Sequence, residues 1–531
     1  MNKKCLFALS IVFTLFFASQ IRAEDSIPQH IDLSDTKYFP PIFNQGDIGS
    51  CDWFAVVYYQ MTYIYNKVYN RSVDSGNTFS PKLGYNVLNN GGAYPFNIRV
   101  DDVYKFSLKH GSATMADFPY DMDYKPWCTD AEIWKKALTY RLENFTHFTC
   151  KYRDPTADYS FPDSTAWLSE IKKLLSRGEV LVIQSTTFSG SLFKAISDDT
   201  ATHEDDKYVG EQILYSGNNG PDHTLALVGY NDHIWVDLND DSIVQNNEKG
   251  ALKIADSYGV NSYSHNKGFL WMAYSTVPSS IWQYRVNRMT VRSNYKPKIF
   301  CKLTLNSTKR DNLRFQFGRS ASNNSIDIPV DNPFVFDPNG LGYGSGTNGV
   351  SLITGANCSF NGGFDASDGN FVFDLSDIYN DNNTNYWYLK IDNNSDTPCI
   401  IKKFEITNSE NTVLAQDITL PDTLINKETY RFLKPLNSPA TVPNHNGKIT
   451  LNSIKTYPNP VSSELTLSNC LSLAGGTVKL FSQHGRLLST SNILSKDIIR
   501  VQMNNAPPGS YMVVLIDKNG RIKQNVKIIK M

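Results

Sequence analysis

The hydrophobic pattern of the chain changes once, near residue 290, and this change constrains the fold more than any other feature. Before it, apolar residues recur at helical spacing from Cys51 to Tyr69 and from Ala166 to Ser176, and form a strand-like run from Val180 to Ile183. Beyond it, short apolar segments alternate with turns rich in Asn, Asp, Gly and Ser. The pattern predicts an α+β domain followed by antiparallel β-sandwiches.

The length of 531 residues suggests about three domains, at roughly 100–200 residues each. Lys3 and Lys4 precede an apolar run too short to span a bilayer, which predicts a signal peptide that ends at Ala23. No later segment is apolar for long enough to form a transmembrane helix, so we expect an exported protein. The predicted divisions are a signal peptide at 1–23, an α+β domain at 24–288, a β-sandwich of unknown role at 290–445 and a small β domain at 446–531.

The net charge of the chain limits the kinds of binding partner that its sequence favours. The net charge of −1 gives no electrostatic reason to expect binding to nucleic acid or to an anionic membrane.

Eight cysteines are present, and Cys5 leaves with the signal peptide. The odd number that remains leaves at least one thiol unpaired, unless bridges form between chains. We expect that thiol to be Cys51, while a bridge between Cys128 and Cys150 is permitted but not assigned by the sequence.

The segment before Cys51 has the features of a reactive-cysteine loop. Gly46 and Gly49 allow tight turns, and Ser50 is a candidate N-cap for the helix that follows. Cys51 then lies in the first helical turn, where the dipole favours a thiolate over a thiol. Gln45, six residues upstream, can donate its amide beside the Cys51 N–H to a developing oxyanion.

A cysteine nucleophile needs a histidine that is distant in sequence but near in space. His223 lies at the head of an apolar strand, and Asp256 follows a second strand-like run, where it can orient an imidazole. Each residue also has an ordinary interpretation, since buried cysteines are usually inert and Asp256 suits a turn. Their order and the flanking glycines favour the catalytic interpretation.

These motifs resemble the papain-like cysteine peptidases over about residues 30 to 280. The landmarks are Gly49-Ser50-Cys51, Phe79-Ser80-Pro81-Lys82, Asn90-Gly91-Gly92, Phe118-Pro119-Tyr120, His223 to Tyr230, Asp256 to Gly259 and Gly268-Phe269-Leu270-Trp271. The resemblance implies an α+β domain with a helical subdomain and a β-barrel-like subdomain. It also implies roles for four residues: Gln45 as oxyanion donor, Cys51 as nucleophile, His223 as base and Asp256 as orienting group. Gly91, Gly92 and Asp222 would contact the substrate.

The chain departs from the papain-like pattern at several positions. Asp256 replaces an asparagine, and its charge should favour the imidazolium. Tyr258 replaces a shielding tryptophan, and Ile48 stands where a disulfide cysteine is usual. Asp52 replaces the tryptophan after the nucleophile and adds a negative charge that works against the thiolate. Only about 20 residues separate the expected cleavage site from Gln45, which leaves no room for a long inhibitory prosegment.

The last ~80 residues resemble the C-terminal sorting domain of the type IX secretion system of Bacteroidota. The likeness depends on Tyr457-Pro458-Asn459-Pro460, on the segment from Val478 to Leu487, on Pro508-Gly509-Ser510-Tyr511 and on the basic end at Lys527 and Lys530. It implies that the secretion machinery is a partner, and that the protein is released or attached to the cell surface after tail removal. A carbohydrate-binding or immunoglobulin-like module is the alternative.

Three functions are consistent with these motifs. The first is an exported cysteine endopeptidase that hydrolyses peptide bonds in proteins or peptides through a thioester. The second is a catalytically degenerate scaffold that acts as a surface binding or adhesion protein, and the third is transglutaminase-like acyl transfer, which would not explain Gln45 or the glycine pair. No cofactor or metal is expected. The acidic runs Asp237 to Asp241 and Asp365 to Asp368 can bind calcium, but such runs are more often surface turns.

Overall fold

The structure is a computed structural model of the whole chain. It describes residues 27–89, 99–151, 157–186, 192–262, 266–310, 313–320, 334–336, 358–376, 386–393, 395–433, 455–457, 461, 463–468, 476–482, 487–492, 498–503, 506–516 and 522–530. The predicted signal peptide and the Asn90-Gly91-Gly92 motif therefore lie outside the described residues. Cys470 and Pro458-Asn459-Pro460 lie outside them as well.

The chain forms two compact units, and each is built from more than one segment. The first unit comprises residues 1–85, 93–124 and 140–295, and the second comprises 86–92, 125–139 and 296–531. The helices of the described chain are α1 (Cys51–Trp53), α2 (Thr62–Val68), α3 (Lys82–Leu88), α4 (Val100–His110), α5 (Ala131–Ala137), α6 (Ser164–Ser176) and α7 (Val277–Ser280).

A single long helix follows the predicted reactive-cysteine loop. It begins as α1, continues in π-helical form over Phe54–Met61 and ends with α2. Every residue of the π-helical part is buried, and the hydrogen bonds of its wider turns replace the usual α-helical ones. The predicted helix from Cys51 to Tyr69 is therefore present, with a central part whose winding differs from an α-helix.

The described ranges of the first unit build one ten-stranded sheet. Its order is β3-β2-β10-β4-β7-β8-β9-β6-β5, with β1 paired to β7. The strands are β1 (His30–Asp32), β2 (Leu142–Cys150), β3 (Tyr159–Phe161), β4 (Leu181–Thr186), β5 (Leu192–Ala195), β6 (Gln212–Ser216), β7 (Asn218–Trp235), β8 (Lys249–Ala255), β9 (Phe269–Ala273) and β10 (Ile281–Val291).

Helix α6 shows why this unit folds as it does. The Asp163 side chain accepts a hydrogen bond from the Ala166 N–H and caps the helix start. Trp167, Ile171 and Leu174 recur at helical spacing and are fully buried in the main core. The same core includes Phe54 of the π-helical part and strand residues of β4, β7 and β8, so one apolar cluster holds the long helix against the sheet.

The second unit is β-rich. Among its described residues, a five-stranded sheet has the order β14-β11-β16-β17 with β18 paired to β16, and a four-stranded sheet has the order β13-β12-β15-β19. Phe315 and Phe317 of one sheet contact Phe373 of the other, as expected for a sandwich. The strands are β11 (Ile299–Ser307), β12 (Leu313–Ser320), β13 (Phe334–Phe336), β14 (Ser367–Asp374), β15 (Tyr386–Asn393), β16 (Cys399–Asn408), β17 (Val413–Gln416), β18 (Asp422–Leu424) and β19 (Lys427–Leu433).

The end of the chain adds two small sheets, as the described parts of residues 455–531 show. Their orders are β20-β21-β24 and β23-β22-β25-β26. The alternating residues Leu465, Leu467, Val478 and Leu480 share one core, as the period of two predicts. The strands are β20 (Lys455–Tyr457), β21 (Glu464–Ser468), β22 (Thr477–Ser482), β23 (Leu487–Asn492), β24 (Ile498–Gln502), β25 (Gly509–Ile516) and β26 (Ile522–Lys530).

Two further results bear on the sequence predictions. In the part of the chain that the structure describes, no helix has the length and apolar character needed to cross a membrane. Cys128 and Cys150 are both free thiols, so the permitted bridge between them is not formed. Burial raises the pKa of the Cys128 thiol to about 11, although a backbone hydrogen bond opposes the rise, and this thiol is therefore unreactive at neutral pH.

Candidate active site

Cys51 is the first residue of α1 and is partly exposed. The predicted N-cap is corrected in one respect, because the Ser50 hydroxyl makes no capping bond to the helix. It lies 2.9 Å from the Tyr120 hydroxyl instead, and the Tyr120 hydroxyl also donates to the Gln45 carbonyl at 2.7 Å. Tyr120, about 70 residues further along the chain, thus fixes the loop before Cys51. The backbone N–H groups of the first helical turn lie at the same end of the helix as Cys51.

His223 and Asp256 meet in the buried interior of the first unit. His223 lies within β7, and Asp256 follows the end of β8, the strand next to β7 in the sheet. The His223 Nε2 is 2.6 Å from Asp256 Oδ1, and the same oxygen accepts the Ser257 N–H at 2.6 Å. Asp256 Oδ2 is buried and has no hydrogen-bond partner among the described residues.

Cys51 lies close enough to His223 to contribute, through its side chain and its charge, to the pKa of the imidazole. Burial disfavours the imidazolium, but the charge and hydrogen bond of Asp256, together with the hydrogen bond and charge of Cys51, outweigh it. They raise the pKa of His223 from 6.5 to about 10. At neutral pH His223 is therefore a cation beside the sulfur, and a neighbouring imidazolium is what stabilises a thiolate.

Tyr258 covers the histidine. Its ring stacks on the His223 ring with centroids 5.0 Å apart and an interplanar angle of 26°. The tyrosine is 38% exposed, whereas His223 is only 2% exposed, so the aromatic ring lies between the imidazole and solvent. Tyr258 therefore shields one face of the imidazole from solvent.

Gln45 is buried and its amide is fixed at both ends. The Nε2 donates to the Ile48 carbonyl at 2.8 Å, and Oε1 accepts from the Ser257 hydroxyl at 2.5 Å. The Gln45 N–H also donates to the Ser257 carbonyl at 2.7 Å. Because the amide nitrogen carries two N–H groups, one remains beyond the bond to Ile48. Sequence reasoning missed Ser257 as the partner of this side chain and Tyr120 as the donor to the Gln45 backbone carbonyl, although Ser257 directly follows the orienting aspartate.

Asp52 is not a free negative charge beside the nucleophile. The Thr224 hydroxyl donates to Asp52 Oδ1, which ties the first turn of α1 to β7. Burial raises the pKa of Asp52 to about 6, against the opposing effects of the Thr224 hydrogen bond and of His223. The sequence indicated this charge but did not indicate its partner.

The structure brings together Gln45, Cys51, His223 and Asp256, but it does not test every predicted contact. Gly91 and Gly92 lie outside the described residues. The backbone of Asp222 belongs to β7, directly before His223, while its side chain lies outside them. Within the described ranges, no group of three or more His, Cys, Asp or Glu side chains is placed to hold a metal ion.

Comparison with known proteins assigns the end of the chain. Residues 455–531 match the family described as the secretion system C-terminal sorting domain. This segment is therefore a sorting domain, which implies secretion or attachment at the cell surface and an interaction with the secretion machinery. No curated protein matches the chain.

Three solved structures are similar to about half of the chain. The structure on antibody cross reactivity between the mite allergens Blo t 1 and Der p 1 has 17% identity and a TM-score of 0.33, and the match covers 51% of this chain and 73% of that one. Bromelain protease from Ananas comosus has 15% identity and a TM-score of 0.32, and the match covers 50% of this chain and 100% of that one. The Amb a 11 cysteine protease, a major ragweed pollen allergen in its proform, has 16% identity and a TM-score of 0.32, and the match covers 51% of this chain and 67% of that one.

Proposed function

We propose that the chain is an exported cysteine endopeptidase with a papain-like catalytic domain. The observation that carries the proposal is the series of contacts from Asp256 through His223 to Cys51. Asp256 bonds the imidazole Nε2, and the imidazole interacts in turn with the side chain of Cys51, a cysteine in the first turn of a helix. A nucleophile, a base and an orienting group in hydrogen-bond order define this type of site.

Each residue has a defined step in the proposed reaction. The Cys51 thiolate attacks the carbonyl carbon of a peptide bond, and the carbonyl electrons move onto oxygen. The second N–H of Gln45 Nε2 and the Cys51 N–H stabilise that oxyanion. His223 then gives its proton to the departing amine, and a thioester remains on Cys51. A water molecule, deprotonated by His223, attacks the thioester, and release of the carboxylic acid restores the thiolate–imidazolium pair.

The sorting domain defines where this reaction would take place. We propose that the chain crosses the inner membrane with a signal peptide and the outer membrane through the type IX secretion system of Bacteroidota. Removal of the tail would then leave the peptidase released or attached to the cell surface, where its substrates are extracellular proteins or peptides. The β-sandwich before the tail has no role in the proposed chemistry.

Labelling with a peptidyl epoxide tests the proposal. Such a reagent alkylates an activated thiolate, and we expect it to modify the mature protein once, at Cys51, with loss of peptidase activity. Cys51→Ala should abolish both labelling and turnover. Cys128→Ala is the matched control, because burial keeps that thiol protonated, and it should leave labelling unchanged. A wild-type protein that folds but is not labelled would favour the binding-scaffold function over the peptidase.

A further inference from the structure

The residues that follow Cys51 and His223 in sequence are themselves in contact. The Thr224 hydroxyl donates to Asp52 Oδ1, and Gln184 Nε2 donates to the Thr224 hydroxyl at 3.5 Å. Thr224 is only 2% exposed, and Gln184 is its cross-strand neighbour in β4. A hydroxyl has one proton, and the bond from Gln184 leaves that proton directed at Asp52.

This arrangement gives α1 and β7 two consecutive connections. Cys51 contacts His223, and one residue further along each element Asp52 contacts Thr224. A single contact between a helix and a strand allows rotation about it, whereas two adjacent contacts fix the rotation. Catalytic pairs need positions held within about 0.5 Å, so a second connection directly beside the first is where positioning has most effect.

We propose that Asp52 is a positioning residue of this site: held by Thr224, it fixes the first turn of α1 against β7 and directs a carboxylate charge at the His223 imidazolium. This inference depends on the proposed peptidase function for its kinetic consequences. Neither Asp52 nor Thr224 needs to contact the substrate, because the hydrogen bond between them acts by positioning Cys51 and His223.

The charges around Asp52 define the pH at which this connection acts. The groups that face it are His223 on β7, Asp101, Asp102 and Tyr104 on α4, and, through its ion pair with Asp101, Arg285 on β10. Burial raises the pKa of Asp52 to about 6, with the two α4 carboxylates adding to the rise. Above pH 6 the carboxylate is a strong acceptor and supports the imidazolium. Below it, the neutral acid still offers an acceptor oxygen to Thr224 but no longer supplies the charge.

Three variants separate the bond from the charge. Asp52→Asn keeps an oxygen acceptor for Thr224 and removes the charge, while Thr224→Val keeps the shape and removes the donor. Thr224→Ser restores the donor. We expect the wild-type enzyme to show an ionisation near pH 6 in the acid limb of kcat/KM, and Asp52→Asn to lack it. Asp52→Asn and Thr224→Val should each lower kcat about tenfold with little change in KM, and Thr224→Ser should recover most of the loss.

A purely structural role gives a different result. If both variants lower the melting temperature but the active fraction, counted by epoxide titration, keeps wild-type kcat and pH profile, the inference is overturned. Failure of the inference is also distinguishable from failure of the proposed function. The imidazole of His223 can be titrated by NMR without turnover, and Asp52→Asn should lower its pKa by about one unit. An unchanged His223 titration in a folded variant contradicts the inference even if the wild-type protein is not a peptidase.

Discussion

One oxygen atom of Asp256 organises much of the site. Its Oδ1 accepts both the His223 ring and the Ser257 N–H, while Oδ2 is buried without a partner among the described residues. The oxygen of an asparagine could make the same two bonds, so the geometry does not require a carboxylate. What the carboxylate adds is charge, which is the leading contribution that raises the pKa of His223 against its burial.

Asp256→Asn therefore tests charge without changing the contacts. The pKa of His223 is raised, so the protonated ring persists until alkaline pH, and the activity of the wild-type enzyme should fall only as pH approaches about 10. Removal of the carboxylate charge should move this alkaline limb down by about 1–3 pH units, with the neutral-pH kcat largely retained. Profiles of kcat/KM against pH measure the shift. Asp256→Ala, which loses both bonds, should lower kcat about 10²–10⁴-fold at every pH, and an alkaline limb that does not move in Asp256→Asn would contradict this account.

Asp52 should lower stability even as it supports catalysis. Its pKa rises from 3.8 in the unfolded chain to about 6 when folded, so the folded state binds the proton more tightly. The contribution of Asp52 to the free energy of unfolding is then most favourable below pH 4, becomes less favourable as pH rises from about 4 to about 6, and stays reduced above that. Asp52→Asn lacks this term. Its melting temperature should equal that of the wild type near pH 4 and exceed it by a few degrees at pH 7.

The control for this measurement is Asp47→Asn. Asp47 is exposed on the loop before Cys51, and its replacement removes a charge without removing a buried one. The difference in melting temperature between pH 4 and pH 7 should stay at the wild-type value in this variant. If Asp52→Asn is no more stable than the wild type at pH 7, burial of the ionised Asp52 carboxylate does not lower the free energy of unfolding.

At the scale of elements, the long helix carries more than the nucleophile. The Tyr59 hydroxyl, in its π-helical part, donates to the Asp256 carbonyl at 2.7 Å and accepts the Phe43 N–H at 3.2 Å. The Tyr58 hydroxyl donates to the Pro41 carbonyl at 3.0 Å. Two adjacent tyrosines thus join the same helix to different segments, and only Tyr59 reaches the backbone of the orienting aspartate.

Tyr59→Phe should separate stability from positioning when compared with Tyr58→Phe. Each variant leaves a backbone carbonyl without its donor, and Tyr59→Phe also leaves the Phe43 N–H without its acceptor. Each group left without its partner costs about 1–3 kcal/mol of unfolding free energy. Only Tyr59→Phe also loosens Asp256, so only it should lower kcat in the folded enzyme at unchanged protein concentration. Denaturant unfolding and steady-state kinetics measure the two effects. Equal kcat values for the two variants would show that the helix does not position Asp256 through this hydroxyl.

The sequence predicted the elements better than their contacts. The helix that begins at Cys51, the strand that carries His223 and the strand that ends just before Asp256 follow from periodicity, which depends on neighbouring residues. The π-helical winding of Phe54–Met61, the Tyr120 bond to Ser50 and the Thr224 bond to Asp52 depend on residues far along the chain. No local pattern encodes such pairs, and Ser50 was accordingly expected to cap its own helix.

At the scale of the whole molecule, long-range contacts also decide which segments belong to a unit. Residues 125–139 lie between two segments of the first unit in sequence, yet they belong to the second. Trp127 and Trp134 both pack against Phe371 of β14, and this aromatic cluster holds the segment there. Hydrophobic periodicity identifies where a chain changes character, as it does near residue 290, but it does not show a segment that packs with a distant part of the chain.

The sorting domain and the proposed peptidase site should be separable in the cell. Removal of residues 455–531 deletes the segment that matches the sorting-domain family, together with the hydrophobic core that includes Leu465 and Val513. The truncated protein should keep the contacts of Cys51 and His223, because both lie in the first unit, but it should accumulate inside the outer membrane. Fractionation with epoxide labelling measures location and active-site integrity together. Cys51→Ala in the full chain is the converse control: it should be exported normally and remain unlabelled. Export of the truncated protein at the wild-type level would show that the tail is not what directs secretion.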